Sequence, residues 1–156
     1  MTDRKLHRAA AMLVAMAAAT AAVPAQAQIV NLTGTVINLC VLTISTPGIL
    51  AVTSNGLELS TLQSGGVAAS LAIVATGSNP TVTFTAPTLS GPSSAGSTTE
   101  VAYSSSGGAS RAMGTGAYVY AMNRLLDTIT INGRASNSGG FRSGIYTIAS
   151  TATCSQ

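Results

Sequence analysis

Two cysteines do most to constrain what this chain can fold into. Cys40 and Cys154 are its only thiols, far apart in sequence, and each lies on the apolar side of an alternating stretch. From Val30 to Ile44 the even positions read Val30, Leu32, Gly34, Val36, Asn38, Cys40, Leu42 and Ile44. Near the other end Tyr146, Ile148, Ser150, Ala152 and Cys154 share one face, while Thr147, Ala149, Thr151 and Thr153 share the other. A period of two is that of a half-buried strand. A Cys40–Cys154 bond would therefore fasten the first strand to the last across the core. In the chain-entropy picture, closing a loop of about 100 residues stabilises by up to roughly 4.7 kcal/mol. Two buried free thiols or a bridge between chains are the alternatives, and the compartment bears on the choice. No CxxC spacing is present, which argues against a thiol-exchange role.

The opening of the chain bears on that compartment. Arg4, Lys5 and Arg8 precede an uncharged, Ala-rich run from Ala9 to Val23, and Ala25-Gln26-Ala27 follows with a small residue at each end. This is the pattern of a helical signal peptide over 1–27, cleaved after Ala27, with a single β-sandwich domain over 28–156. The apolar run is shorter than the roughly 20 residues that span a bilayer, and no later segment approaches that length, so no transmembrane segment is expected once the leader is removed. No Cys follows the run to carry a lipid. The expected location is secreted, in the bacterial periplasm, outside the cell or on its surface, where disulfides persist.

Removing a leader also changes what the charge means. The formal net charge is +3, yet Lys5 and His7, the only Lys and His, lie in the leader. Beyond it stand Arg111, Arg124, Arg134 and Arg142 against Glu58, Glu100 and Asp127. Four dispersed arginines make no phosphate-binding surface, so nucleic acid is not an expected partner. Disorder is disfavoured as well, since it pairs low hydrophobicity with high net charge. A Thr-rich, weakly charged chain of this kind suits sheet and repels its own copies little, so self-association or packing with other surface subunits is expected.

Further strands are predicted over Val67–Ala75, with Val67, Ala69, Leu71, Ile73 and Ala75 on one face, and over Thr81–Ala86, with Val82, Phe84 and Ala86 alternating with Thr. Gly77-Ser78-Asn79-Pro80 breaks between them as a hairpin or inter-sheet turn. Glu100–Ser104, Ala117–Met122 and Thr128–Ile131 are weaker strand candidates. Asn55-Gly56 and Asn132-Gly133 read as tight turns. Leu89–Thr99 and Ser104–Gly116, rich in Ser and Gly, read as loops, either plain surface or binding loops on a rigid scaffold. The segment from Ile37 to Val41, apolar on both faces, is expected to be buried on both sides or to bend. Many short strands punctuated by Gly, Pro and Ser predict an all-β fold, an immunoglobulin-like antiparallel β-sandwich, with an antiparallel β-barrel as the alternative.

Catalysis is disfavoured by inventory. Beyond the leader there is no His and no Lys, and thus no Ser-His-Asp arrangement, no imidazole metal ligand and no proton shuttle. No catalytic residue, metal site or cofactor is expected. Glu58, Glu100 and Asp127 lie in separate segments and read as solvated groups or arginine partners. Gly114-Thr115-Gly116 lacks the Lys of a phosphate loop.

The run Gly34-Thr35-Val36-Ile37-Asn38-Leu39-Cys40-Val41-Leu42 resembles the first strand of bacterial fimbrial, pilin-type subunits, in which a Gly-x-Val segment leads into an early Cys. Ala69–Ile73 and Pro80–Thr85 are similar to the two strands that follow, and Gly144-Ile145-Tyr146-Thr147 to the opening of the last. The resemblance implies a secreted β-sandwich of surface-fibre type. The chain departs from the pattern in its disulfide, since fimbrial subunits usually pair the early Cys with a nearer one and the region from Leu71 to Asn79 holds none.

The leading expectation is a non-enzymatic structural or adhesive cell-surface subunit assembling through sheet edges, with Val30, Leu32 and Val36 as the candidate assembly strand. The alternative is a monomeric extracytoplasmic binding module for carbohydrate or an envelope component, using the Ser and Gly loops and Tyr103, Tyr118 and Tyr120. In that reading the tyrosines form a platform; as Tyr118 and Tyr120 share a strand face, core packing competes with it.

Overall fold

Alternation of inward aliphatic and outward hydroxyl side chains, without a helical period, becomes antiparallel strand in this computed structural model. Residues 31–77 and 79–156 are described. The chain divides into Met1–Thr33 and a body, Gly34–Gln156. The predicted signal peptide and cleavage site, with Ala25 and Ala27, and also Val30, lie outside the described residues. Among the described residues there are strands and no helix, hence none long and apolar enough to cross a membrane.

The strands are β1 (Leu39–Thr46), β2 (Ala51–Val52), β3 (Glu58–Ser60), β4 (Ala69–Thr76), β5 (Thr81–Phe84), β6 (Thr88–Ser90), β7 (Thr98–Ser105), β8 (Ser110–Gly114), β9 (Tyr118–Ala121), β10 (Leu126–Ser136), β11 (Thr147–Ala149) and β12 (Ala152–Ser155). Every pairing is antiparallel. The larger sheet is organised by β10. One edge of β10 takes β4 along Leu126–Ile131 and then β3 along Arg134–Ser136, while the other edge takes β7 along Ile129–Ser136. Outward from these, β1 pairs with β4, β2 with β3 and β8 with β7, and the sheet curls into a half-barrel. A second, smaller layer runs β12-β5-β9, and β11 pairs with β6 in a separate two-stranded ladder.

One core draws on both layers. Leu71, Ile73 and Ala75 of β4, Val101 and Tyr103 of β7 and Ile129 of β10 meet Val82 and Phe84 of β5, Tyr120 of β9 and Met122. Phe84, Tyr103 and Tyr118 form an aromatic run, with centroids 4.4 Å apart from Phe84 to Tyr103 and 5.1 Å from Tyr103 to Tyr118. Aromatic area of this kind contributes beyond simple burial. Arg111 lies over the ring of Tyr118, 5.6 Å from its centroid, and donates to the carbonyls of Gly116 and Ala117. The tyrosines expected to offer a ligand platform are therefore packing residues: Tyr103 and Tyr120 are buried and Tyr118 is partly covered.

Several local expectations are corrected. Among the described residues strand pairing begins at Leu39, and residues 31–38, part of the strand expected from Val30, form no strand. The doubly apolar segment is not buried on both sides, because Leu39 and Val41 point away from the core and stay exposed, and β1 keeps regular register with β4 through it, the one shift falling later, between Ile44 and Thr46. Asn132-Gly133 is not a turn. It lies inside β10, where the Thr61 hydroxyl bonds the Asn132 amide oxygen and Thr61 also receives and gives main-chain hydrogen bonds at Gly133. A side chain there would crowd its neighbour, since a Cβ would come within 3.2 Å of Ile148 Cδ1. Ser104–Gly116 is not a single loop, because Ser110–Gly114 returns along β7 as β8. Thr147 and its neighbours form two short strands, β11 and β12, although the predicted alternation of inward and outward residues is kept from Tyr146 to Ser155. Asn55-Gly56 does turn the chain between β2 and β3, with Gly56 at φ 72°. The break at Gly77–Pro80 carries the chain from one sheet to the other.

Candidate functional site

Cys40 and Cys154 are bonded, with their Cα atoms 6.2 Å apart, inside the usual span for a disulfide. The bond joins β1, an edge of the larger sheet, to β12, an edge of the smaller. Away from this clasp a trough opens that is lined by Ile44 of β1 and by β11 and the residues leading to β12. Ile44, Leu50, Ala69, Phe84, Val101, Ile131 and Ile148 to Thr151 are among the residues that line it, and it encloses about 380 Å³. Ile44 shares the inward face with Cys40 and Leu42, yet it is 60% exposed because no strand covers it. β1 pairs only with β4, β11 only with β6 and β12 only with β5, so each presents a row of main-chain groups without a strand partner among the described residues. An edge of that kind invites strand addition.

A second feature is polar and internal. Asp127 is 5% exposed and points into the core from β10. Burial alone raises its pKa, but hydrogen bonds from the Ser105 and Ser106 hydroxyls at 2.6 Å, from the Tyr120 hydroxyl and from the Thr128 amide at 2.7 Å outweigh it and lower the pKa to about 2. Tyr120 is pushed above its ordinary value, first by burial and then by its bond to that carboxylate. Every donor in the cluster is spent on holding one anion, and a carboxylate that stays ionised to such low pH is a poor proton acceptor near neutrality. The cluster ties β7, β9 and β10 together where the sheets turn into each other.

The third feature lies at one end of the body, where the turn between β2 and β3, the loop from Gly91 to Ser97 and the segment from Asn137 to Tyr146 converge. Ser93 organises it. Its hydroxyl accepts from the Arg142 amide at 2.9 Å and bonds the Tyr146 hydroxyl at 2.6 Å, and its carbonyl accepts from the Asn137 side chain at 2.8 Å. The Tyr146 hydroxyl also donates to the Arg142 carbonyl, and the Phe141 amide donates to the Gly56 carbonyl. Gly91, at φ 146°, lies flat against the Tyr146 ring, where a side chain could not fit. Phe141 and Tyr146 meet edge to face, centroids 5.1 Å apart at 76°. They line a cleft of about 370 Å³ with Leu50, Val52, Leu59, Arg142, Ser143 and Gly144. Leu50 and Tyr146 also line the trough, so the two hollows adjoin.

No family model, curated protein or solved structure matches this chain.

The proposed assembly residues are placed without a partner. Leu32 and Val36 are 92% and 77% exposed and belong to no strand. Just beyond them, the Ile37 carbonyl accepts from the Thr76 hydroxyl at 2.6 Å, which ties that end of the segment to the tip of β4. Sequence reasoning missed both the Asp127 cluster and the Phe141–Tyr146 cleft. The one signal for the cleft was the concentration of Ser and Gly around residues 91–97, and nothing in the sequence joins those residues to Arg142. Of the remaining carboxylates, Glu100 pairs with Arg134, an expected kind of partner.

Proposed function

We propose that this chain is a non-enzymatic, exported structural or adhesive subunit of a bacterial surface assembly, of fimbrial type, in which an immunoglobulin-like sandwich associates through its sheet edges. The observation that carries the reading is the trough beside Ile44: an apolar hollow flanked by unpaired strand edges, in a chain whose residues Leu32 and Val36 belong to no strand and whose sequence around Val30, Leu32 and Val36 is alternately apolar. A strand laid in the trough would cover Ile44 and supply hydrogen-bond partners to a sheet edge, with main-chain bonds giving affinity and alternate side chains giving register. Two antiparallel layers about one core, joined at their edges by Cys40–Cys154, support the sandwich form. The low charge of the outer faces favours close approach of copies.

The test is assembly against export. Leu32→Asp with Val36→Asp should leave secretion intact and abolish the large species on a sizing column and the filaments in negative stain. Oligomers of unchanged size in that variant would reject edge assembly through this segment. A sharp monomer for the parent chain would favour a monomeric binding module instead.

A further inference from the structure

The cleft at the loop end is more firmly built than a surface connection requires. Residues 137–146 form no strand, yet the Ser93 hydroxyl and carbonyl, the Asn137 amide and the Tyr146 hydroxyl are all used to fix their course. Rigid loops at the end of a sheet scaffold are where binding groups are displayed, and a surface already ordered loses little further freedom when a ligand arrives. What the loop displays is specific. Phe141 and Tyr146 stand perpendicular and make an aromatic corner, Val52 extends the apolar wall, and Arg142 and Ser143 add polar groups at its border.

Charge narrows the choice of ligand. The one ion pair among the described residues is Arg134–Glu100, and the Glu58 charge also acts on Arg134, which leaves Arg142 at the cleft without a carboxylate partner. A guanidinium is shaped to take a carboxylate in a two-pronged bond, and a single one balances a single negative charge rather than the near-double charge of a phosphate ester. Aromatic faces in turn suit the C–H faces of a pyranose ring. We infer that this cleft binds a carboxylate-bearing saccharide, with Arg142 holding the carboxylate and the Phe141–Tyr146 corner holding the ring. The inference rests on the adhesive half of the function proposed above and supplies its ligand class.

The test uses the purified exported chain and isothermal titration with trigalacturonate, the neutral galactose trimer of the same linkage, and acetyl-trialanine carrying a free carboxylate. Saturable binding of the acidic trimer, at least tenfold tighter than either control, is the expected result. Arg142→Gln should weaken it at least tenfold, whereas Arg124→Gln, an exposed residue outside the cleft, should not, with both variants matching the parent in thermal unfolding. Equal binding of the neutral trimer or of the peptide, an unaltered Arg142→Gln, or no saturable binding of the acidic trimer would each overturn the inference. Repeating the titration on the Leu32→Asp, Val36→Asp chain separates the two readings: sugar binding retained there supports a cleft independent of assembly, and sugar binding lost there overturns it.

Discussion

Replacing Asp127 by Asn keeps the shape of the side chain and removes its charge, so it isolates the contribution of the buried carboxylate. The folded-state pKa is about 2, against an ordinary value of 3.8 for an aspartate. That difference is equivalent to about 2 kcal/mol of preferential binding of the ionised form by the native state. The folded pKa is depressed, so this stabilisation is fully present above pH 3.8 and is lost as the pH falls through 2. An Asn amide also turns one acceptor towards donors into a donor facing the Ser105, Ser106 and Tyr120 hydroxyls, and a buried group left unpaired costs about 1–3 kcal/mol more. At neutral pH the variant should therefore be less stable by about 3–5 kcal/mol, or roughly 15 °C in Tm for a domain of this size. Urea unfolding followed by circular dichroism from pH 6 to pH 2 is the assay. The gap between parent and variant should narrow by about 2 kcal/mol across that range, because the contribution of the charge falls away as the carboxyl protonates while the cost of the unpaired amide stays. A gap that stays constant with pH would show that the charge is not what the hydroxyl cluster holds, and the reasoning would fail.

Two further outcomes follow from the same geometry. Cys40→Ala with Cys154→Ala opens a link across a sequence separation of 114, and the chain-entropy model puts the loss at up to about 5 kcal/mol; a variant within 1 kcal/mol of the parent in urea would show that the sheets hold together without their clasp. Glu100→Gln breaks the pair with Arg134, whose side chain is 40% exposed, so solvent screening should keep the loss at about 0.5 kcal/mol or less; a loss above 2 kcal/mol in thermal unfolding would contradict that.

How far the fold was legible depended on whether a signal was local. Val82 and Phe84, or Leu71, Ile73 and Ala75, alternate with smaller or polar residues, and burial on one sheet face reproduces that alternation residue for residue. The inward setting of Cys40 and Cys154 was read in the same way, and the disulfide followed. The Asn132-Gly133 dipeptide misled because its turn preference is weak beside the long pairing that β10 makes on both edges, and because the glycine sits close against Ile148 inside the strand. Ser104–Gly116 looked like a loop because its hydroxyl and glycine content is that of turns, while β8 owes its conformation to the adjacent β7. Asp127 looked like a solvated carboxylate because its partners, Ser105, Ser106 and Tyr120, lie on other strands.

Period-two patterning is written into each segment, so the chain by itself determined that it would form sheet, which side of each main strand would face inward, and that its two sulfurs could meet. Which strands became neighbours, where a trough opens, and how Ser93 comes to hold Arg142 and Tyr146 were decided only in three dimensions. The physical reason is that pairing and loop closure join residues distant along the chain, through main-chain groups that every residue carries alike, so no local pattern encodes them.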